Sequence, residues 1–129
     1  MHKVRIGKMS ALILILLSVM FGIFGQLSLK RGMSGVGVIT VGDLLSSRVF
    51  SILTEKFVIL GVFMYFMAAA LWVVVLSREE VSFAYPLIGI GYIFTAILAR
   101  VFFNESLTLI KLLGILFIAV GAYLIVLKI

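Results

Sequence analysis

Residues 9–29 read MSALILILLSVMFGIFGQLSL, twenty-one consecutive positions without an ionisable side chain. At ~1.5 Å of rise per residue, a helix of this run matches the thickness of a bilayer's hydrocarbon layer. In lipid every backbone amide must find its partner internally, which leaves helices and closed barrels. Barrel strands alternate apolar and polar residues, and this run is solid. Three more stretches share its character: Phe57 to Leu76, Val81 to Ala99, and Leu112 to Leu127. The last reaches spanning length when it begins near Leu107 with Lys111 at the interface. The reading is an all-α integral membrane bundle of four transmembrane helices in one domain covering 1–129, with spans at about 9–29, 57–77, 82–103 and 107–127 and a long loop at 30–56.

Composition agrees. Of 129 residues, 64% are hydrophobic and 12% charged, where soluble domains run near half and a quarter. There is no cysteine and His2 is the sole histidine, so a disulfide framework is excluded and a thiolate or imidazole metal cage is not expected. The net charge is +6. Its basic residues punctuate the apolar runs instead of gathering on one face, a placement that anchors helices among membrane lipids and argues against a nucleic-acid partner. Lys3, Arg5 and Lys8 imitate the start of a signal peptide, but the apolar run is too long and no small-residue cleavage pattern precedes Gln26-Leu27-Ser28-Leu29-Lys30, so the first span is expected to stay.

The connections at 78–80 and 104–106 are short, which makes consecutive helices antiparallel neighbours. In the long loop, Leu44, Leu45, Val49, Ile52 and Leu53 share one helical face, and Thr40-Val41-Gly42-Asp43 forms a capping-box pattern with Asp43 in place of the usual Glu. This predicts an amphipathic helix on the membrane surface; the alternative is an irregular connector. Orientation stays open. Lys3, Arg5, Lys8, Arg78 and Lys128 fall on one side, and Lys30, Arg31, Arg48, Lys56, Arg100 and Lys111 on the other, too even for the positive-inside rule.

Charges within a bilayer are costly and mark function. The acids Asp43, Glu55, Glu79, Glu80 and Glu105 all lie in loops or at span ends. Proton-coupled export of cations needs a buried carboxylate, and acid–base catalysis needs a placed acid or base; neither is available, and Ser18 and Ser28 have no base partner. The chain is not expected to be an enzyme, nor to hold a metal or cofactor. The cations are better placed. Lys30 ends the first span, Arg100 lies one turn inside the end of the third, and both face the same side. Ser18, Gly22, Gln26 and Lys30 recur every four residues as a small, polar stripe leading to a cation. The stripe reads either as a groove for an anionic headgroup or as a helix–helix hydrogen bond with a snorkelling lysine. Tyr85 and Pro86 open the third span, with Pro86 expected in the first helical turn; Gly89, Gly91 and Tyr92 follow, the glycines permitting close contact or a kink. Gly114 and Gly121, seven apart on the fourth span, favour close packing within or between chains. Four helices cannot enclose a path for a polar headgroup, so a dimer is expected.

The run from Phe83-Ala84-Tyr85-Pro86-Leu87 through Phe102-Phe103-Asn104-Glu105, with Leu113-Gly114-Ile115 and Val120-Gly121-Ala122, resembles the small multidrug resistance branch of the drug/metabolite transporter (EamA-like) superfamily. With Gly25-Gln26-Leu27-Ser28-Leu29-Lys30 and Leu71-Trp72 added, the chain is most similar to the small subunits of the aminoarabinose-phosphoundecaprenol flippase. The likeness runs from Ser18 to Ile125. It implies a four-helix subunit of the bacterial inner membrane that pairs with a copy or a paralogue and moves an undecaprenyl-phosphate-linked sugar. Gln26 and Lys30 match the family's first-helix motif, Tyr85 and Pro86 its third-helix opening, and Glu105 its third-loop acid. Tyr85 also matches a substrate-contacting tyrosine of the drug exporters, and Gly114 and Gly121 their dimer-forming glycines. Two departures stand out: Gly22 occupies the place of the exporters' essential glutamate, and Ile88 that of a tryptophan.

The candidate substrate-binding set is therefore Lys30, Gln26, Tyr85, Arg100, Ser18, Gly22 and Tyr92, with Gly114 and Gly121 at a dimer interface. The leading reading is a flippase for a polyprenyl-phosphate-linked glycolipid, acting as a homodimer or heterodimer. The alternatives are a proton-coupled exporter of small cationic or guanidinium-like compounds, and a non-transporting accessory subunit whose glycines serve assembly alone.

Overall fold

Charge does not end the first helix. The computed structural model describes residues 8–127, and in it α1 runs unbroken over Lys8–Val36. Its 29 residues span about 44 Å, well beyond the ~30 Å hydrocarbon layer. Lysine and arginine are good helix formers, so α1 passes through Lys30 and Arg31 and stops only at Gly37, which takes a φ of 93° and donates its N–H to Met33 O at 2.9 Å. The helix thus runs seven residues past Leu29, where the span was expected to end, and the irregular loop begins only after Val36. Lys3, Arg5 and Lys128 of the orientation count lie outside the described residues.

The first loop holds two short helices where one was expected: a 3-10 turn over Val41–Leu45 and α2 over Arg48–Leu53. The break falls on serines. Ser46 is extended (φ −110°, ψ 176°) and its hydroxyl donates to Asp43 O at 2.9 Å, competing with helical continuation. The expected capping pair is present: Asp43 Oδ2 accepts from the Thr40 N–H at 2.7 Å and the Thr40 hydroxyl at 3.0 Å. Those two bonds, with Arg48 at 3.4 Å, hold the Asp43 carboxyl below its ordinary value. Of the expected apolar face only Ile52 is buried; Leu44, Leu45 and Leu53 are exposed.

Helix α3 covers Lys56–Leu76 and is capped by Glu55, whose Oε2 accepts from Phe57 N–H and Val58 N–H at 2.7 and 2.9 Å. The third span is two helices, α4 over Val81–Leu87 and α5 over Ile90–Phe103. Pro86 is the sixth residue of α4, not in its first turn as expected, and the ladder gives way just after it. Ile88 and Gly89 bond to Tyr85 O and Pro86 O, three residues back, and Gly91 and Tyr92 repeat that tighter pattern. Asn104 ends α5 in the left-handed conformation (φ 54°), and α6 follows over Leu109–Leu127. All described elements are helical, and four spans, α1, α3, α4–α5 and α6, are long and apolar enough to cross a membrane.

The α1–α3 pair is the spine. Ser18, Gly25 and Gly32 recur every seven residues, a spacing that drifts only ~20° per step and so keeps one face. A Cβ on Gly25 would lie 3.1 Å from Gly61 O, and one on Gly61 would lie 2.8 Å from Gly25 O, so the backbones touch where neither carries a side chain. Ser18 Oγ donates to Ala68 O at 2.9 Å across the same seam. A small core of Ile15, Val75, Ala84, Leu87 and Ala122 ties α1, α3, α4 and α6 together near the N-terminal end of α1. Further along, α5 packs on α1 and α6 on α5.

Candidate functional site

A groove of about 380 Å³ lies midway along the spans, between α1, α3 and the α4–α5 span. From α1 it takes Ser18, Gly22 and Gln26; from α3, Tyr65, Ala68, Ala69 and Trp72; from the broken span, Ile88, Gly91, Tyr92 and Thr95. Two glycines give it its shape by opposite means. A Cβ on Gly91 would stand 2.6 Å from Val19 Cγ1, so Gly91 lets α5 close on α1. A Cβ on Gly22 would meet nothing within 4 Å, so Gly22 leaves the groove open. Beyond the break after Pro86, Tyr92 and Thr95 of α5 stand in the groove wall.

Its polar groups divide into engaged and free. The Ser18 hydroxyl is spent on Ala68 O, and the Thr95 hydroxyl on Gly91 O at 2.8 Å. The Gln26 amide bonds to no other described residue, nor do the hydroxyls of Tyr65 and Tyr92. Among the described residues, no charged side chain lines the groove. Aromatic faces with a few free donors suit a sugar ring, whose C–H faces stack while its hydroxyls bond.

The charge lies above the groove. Lys30 Nζ pairs with Glu105 Oε1 at 3.6 Å, and Arg100 Nη1 donates to Glu105 O at 3.2 Å, so α1 and α5 meet on the third loop. The structure thus brings Lys30 and Arg100 together, but not into the groove wall. The reason is angular. Steps of four residues turn 400°, so a stripe read from Ser18 has rotated by about 120° at Lys30. Ser18, Gly22 and Gln26 line the cavity, and Lys30, one turn further along α1, does not. Along the stripe, Ser18 makes a helix–helix hydrogen bond, while Gly22 and Gln26 line the groove. Tyr85 is also outside the wall. It packs edge-on against Trp72, centroids 6.4 Å apart at 68°, and so backs a groove residue.

Tyr65, Trp72 and Thr95 were missed as site residues. Their signal was present: Tyr65, Ala68, Ala69 and Trp72 fall at i, i+3, i+4 and i+7 on the second span, one face carrying two aromatics around two small residues. That signal does not decide the matter, because aromatics in a solid apolar run look alike whether they face lipid or a cavity. Gly114 and Gly121 both face open space, with nothing within 4 Å of a built Cβ.

Residues 6–127 match the EamA-like transporter family. The chain belongs to that family. This EamA-like chain is 32% identical over 111 residues to a Serratia proteamaculans protein named "Probable 4-amino-4-deoxy-L-arabinose-phosphoundecaprenol flippase subunit ArnF", with 84% of this chain and 85% of that one covered. A Photorhabdus laumondii protein of the same name is 30% identical over 118 residues, covering 85% and 91%. An Enterobacter protein named as the ArnE subunit of the same flippase is 36% identical over 77 residues, covering 60% and 67%. No solved structure matches the chain. Family and spans together make it a multi-pass membrane protein of the transporter class.

Proposed function

We propose that this EamA-like chain is a subunit of a flippase that carries an undecaprenyl-phosphate-linked sugar across the bacterial inner membrane, as a dimer with a copy or a paralogue. The observation that carries the reading is an uncharged, aromatic-lined groove midway along the spans, with a Gln26 amide that bonds to no other described residue and Lys30 one turn further along α1. An anionic headgroup leaving water must meet positive charge or donors. Lys30 supplies the ammonium for the phosphodiester, Gln26 an amide one turn deeper, and Tyr65, Trp72 and Tyr92 the faces for the sugar. Relatives named as flippase subunits of both the ArnF and ArnE kinds support a lipid-linked sugar as cargo and a paired assembly. Cation export by proton exchange is disfavoured, because the groove wall holds no carboxylate.

The test is flipping in proteoliposomes. Lys30→Met keeps the apolar stem and removes the charge, so folding and dimerisation survive while flipping falls by about ten-fold, the worth of one charge-assisted hydrogen bond. Lys30→Arg retains part of the rate, and Arg100→Met is milder, since Arg100 bonds the loop backbone. Flipping varies little between the carboxylate range and neutral pH. A well-folded, dimeric Lys30→Met protein that flips at the parent rate overturns the proposal. So does a steep proton-gradient dependence that vanishes when Glu79, Glu80 or Glu105 is changed.

A further inference from the structure

A second cavity, about 370 Å³, lies on the other side of α5, in a trough between α5 and α6. Its two ends differ in chemistry. The body is apolar and kept open by small side chains, Ala96 and Ala99 on α5 and Gly114 on α6, with Ile115 and Ile118 along one wall. The mouth, at the third loop, is charged: Lys111 Nζ donates to Ser106 O at 2.9 Å, and no described carboxylate pairs with it. Beside it stand Lys30, Arg100 and Glu105, so the mouth holds three cations to one acid. From Lys111 to Ile118 the trough descends about 10 Å of helix, two-thirds of a ~15 Å leaflet. At its lower end Tyr92 and Thr95 line both the trough and the groove.

Charge at the interface, apolar wall below it, and a lower end shared with the groove describe the outline of an amphiphile standing in one leaflet. We propose that the α5–α6 trough is the loading site for the lipid substrate, with Lys111 binding its phosphate and the first isoprene units of its chain lying against Ala96, Ala99 and Gly114. The inference rests on the flippase reading and adds a site to it. Lipid tails are as apolar as leucine, so the trough gains little from the hydrophobic effect; selection comes from the phosphate at Lys111 and from the fit of the chain. The sugar then has one step to make, past Tyr92 and Thr95 into the groove, while the chain stays in lipid.

The probe is a C55 polyprenyl phosphate with a diazirine in its second isoprene unit, photolysed with the full-length protein in nanodiscs. The label is expected on peptides bearing Ala96, Ala99 and Gly114–Ile118. Lys111→Met should lower it about ten-fold for the phosphate and leave labelling by the matching polyprenol unchanged, the effect of one charged hydrogen bond. Ala99→Phe, which fills the trough, should lower both. Equal labelling of the parent by phosphate and alcohol overturns the proposal. So does removal of the label by excess phosphatidylglycerol, which makes the trough an ordinary lipid contact. A dimer that Ala99→Phe splits while labelling persists overturns it as well, since a second copy then occupies the trough. Trough labelling in a protein that does not flip retires the flippase reading and keeps the site; full-rate flipping without label does the reverse.

Discussion

Gly22 is where a single atom decides what the groove can hold. A Cβ there meets nothing, whereas the same atom on Gly91 collides with Val19. Gly22→Leu is therefore expected to fold as well as the parent or better, since glycine in a helix interior costs about 0.5–1 kcal/mol. Its side chain, however, grows into the space the sugar needs, so flipping should fall by about ten-fold or more. Thermal unfolding in detergent and flipping in proteoliposomes separate the two effects; a parent-like rate in Gly22→Leu removes the groove from the path. Lys30 teaches a complementary lesson. It was legible as a cation following a polar stripe, but its pairing with Glu105 was not, because residues seventy-five positions apart meet only through the packing of α1 against the third loop.

Among elements, the α1–α3 seam holds by what is missing from it. Gly61→Ala puts a methyl 2.7 Å from Leu29 Cγ and 2.8 Å from Gly25 O, and the backbone oxygen cannot give way as a side chain would. The variant should lose about 1–3 kcal/mol, the usual cost of overpacking, seen as a lower unfolding midpoint. Gly35→Ala, on the other helix of the pair, meets nothing within 4 Å and serves as the control, unchanged or slightly stabilised. An equal loss in both would show that helix propensity, not the seam, governs stability. The seven-residue recurrence of Ser18, Gly25 and Gly32 is legible in the sequence, but the four-residue recurrence is the louder signal because its members are polar and lead to a charge. The break between α4 and α5 was half legible, as glycines that permit a kink after a proline, but its position depended on where α4 begins, at Val81.

For the whole molecule, α6 is the exposed member. Only 6% of its spanning window is buried, against 22% for α1, and Ala122 is its single buried residue. A helix so bare, with Gly121 turned to open space, is suited to a partner helix at close range. Gly121→Leu should weaken the dimer several-fold in its dissociation constant, read by subunit counting in liposomes, with the fold of each protomer intact. If Gly121→Leu and Gly114→Leu both remain fully dimeric, α6 is not the interface. Gly114 also floors the trough, so its variant should lower lipid labelling even where dimerisation holds.

The class of fold was readable from the chain alone, because a bilayer forces twenty apolar residues into a helix whatever their order, and four such runs with short second and third connections leave few arrangements. The absence of an intramembrane acid was equally local information, and with it the argument against proton exchange. Helix ends, by contrast, were misjudged at Lys30 and Pro86, since charge signals the membrane boundary but backbone geometry, at Gly37 and at the Ile88–Gly89 turn, ends the helix. The groove and the trough could be found only in three dimensions. Whether an aromatic such as Tyr65 or Trp72 faces lipid or a cavity depends on which neighbour stands opposite, and in a uniformly apolar span no hydrophobic gradient records that choice; the steric fit of glycines and small side chains between helices makes it.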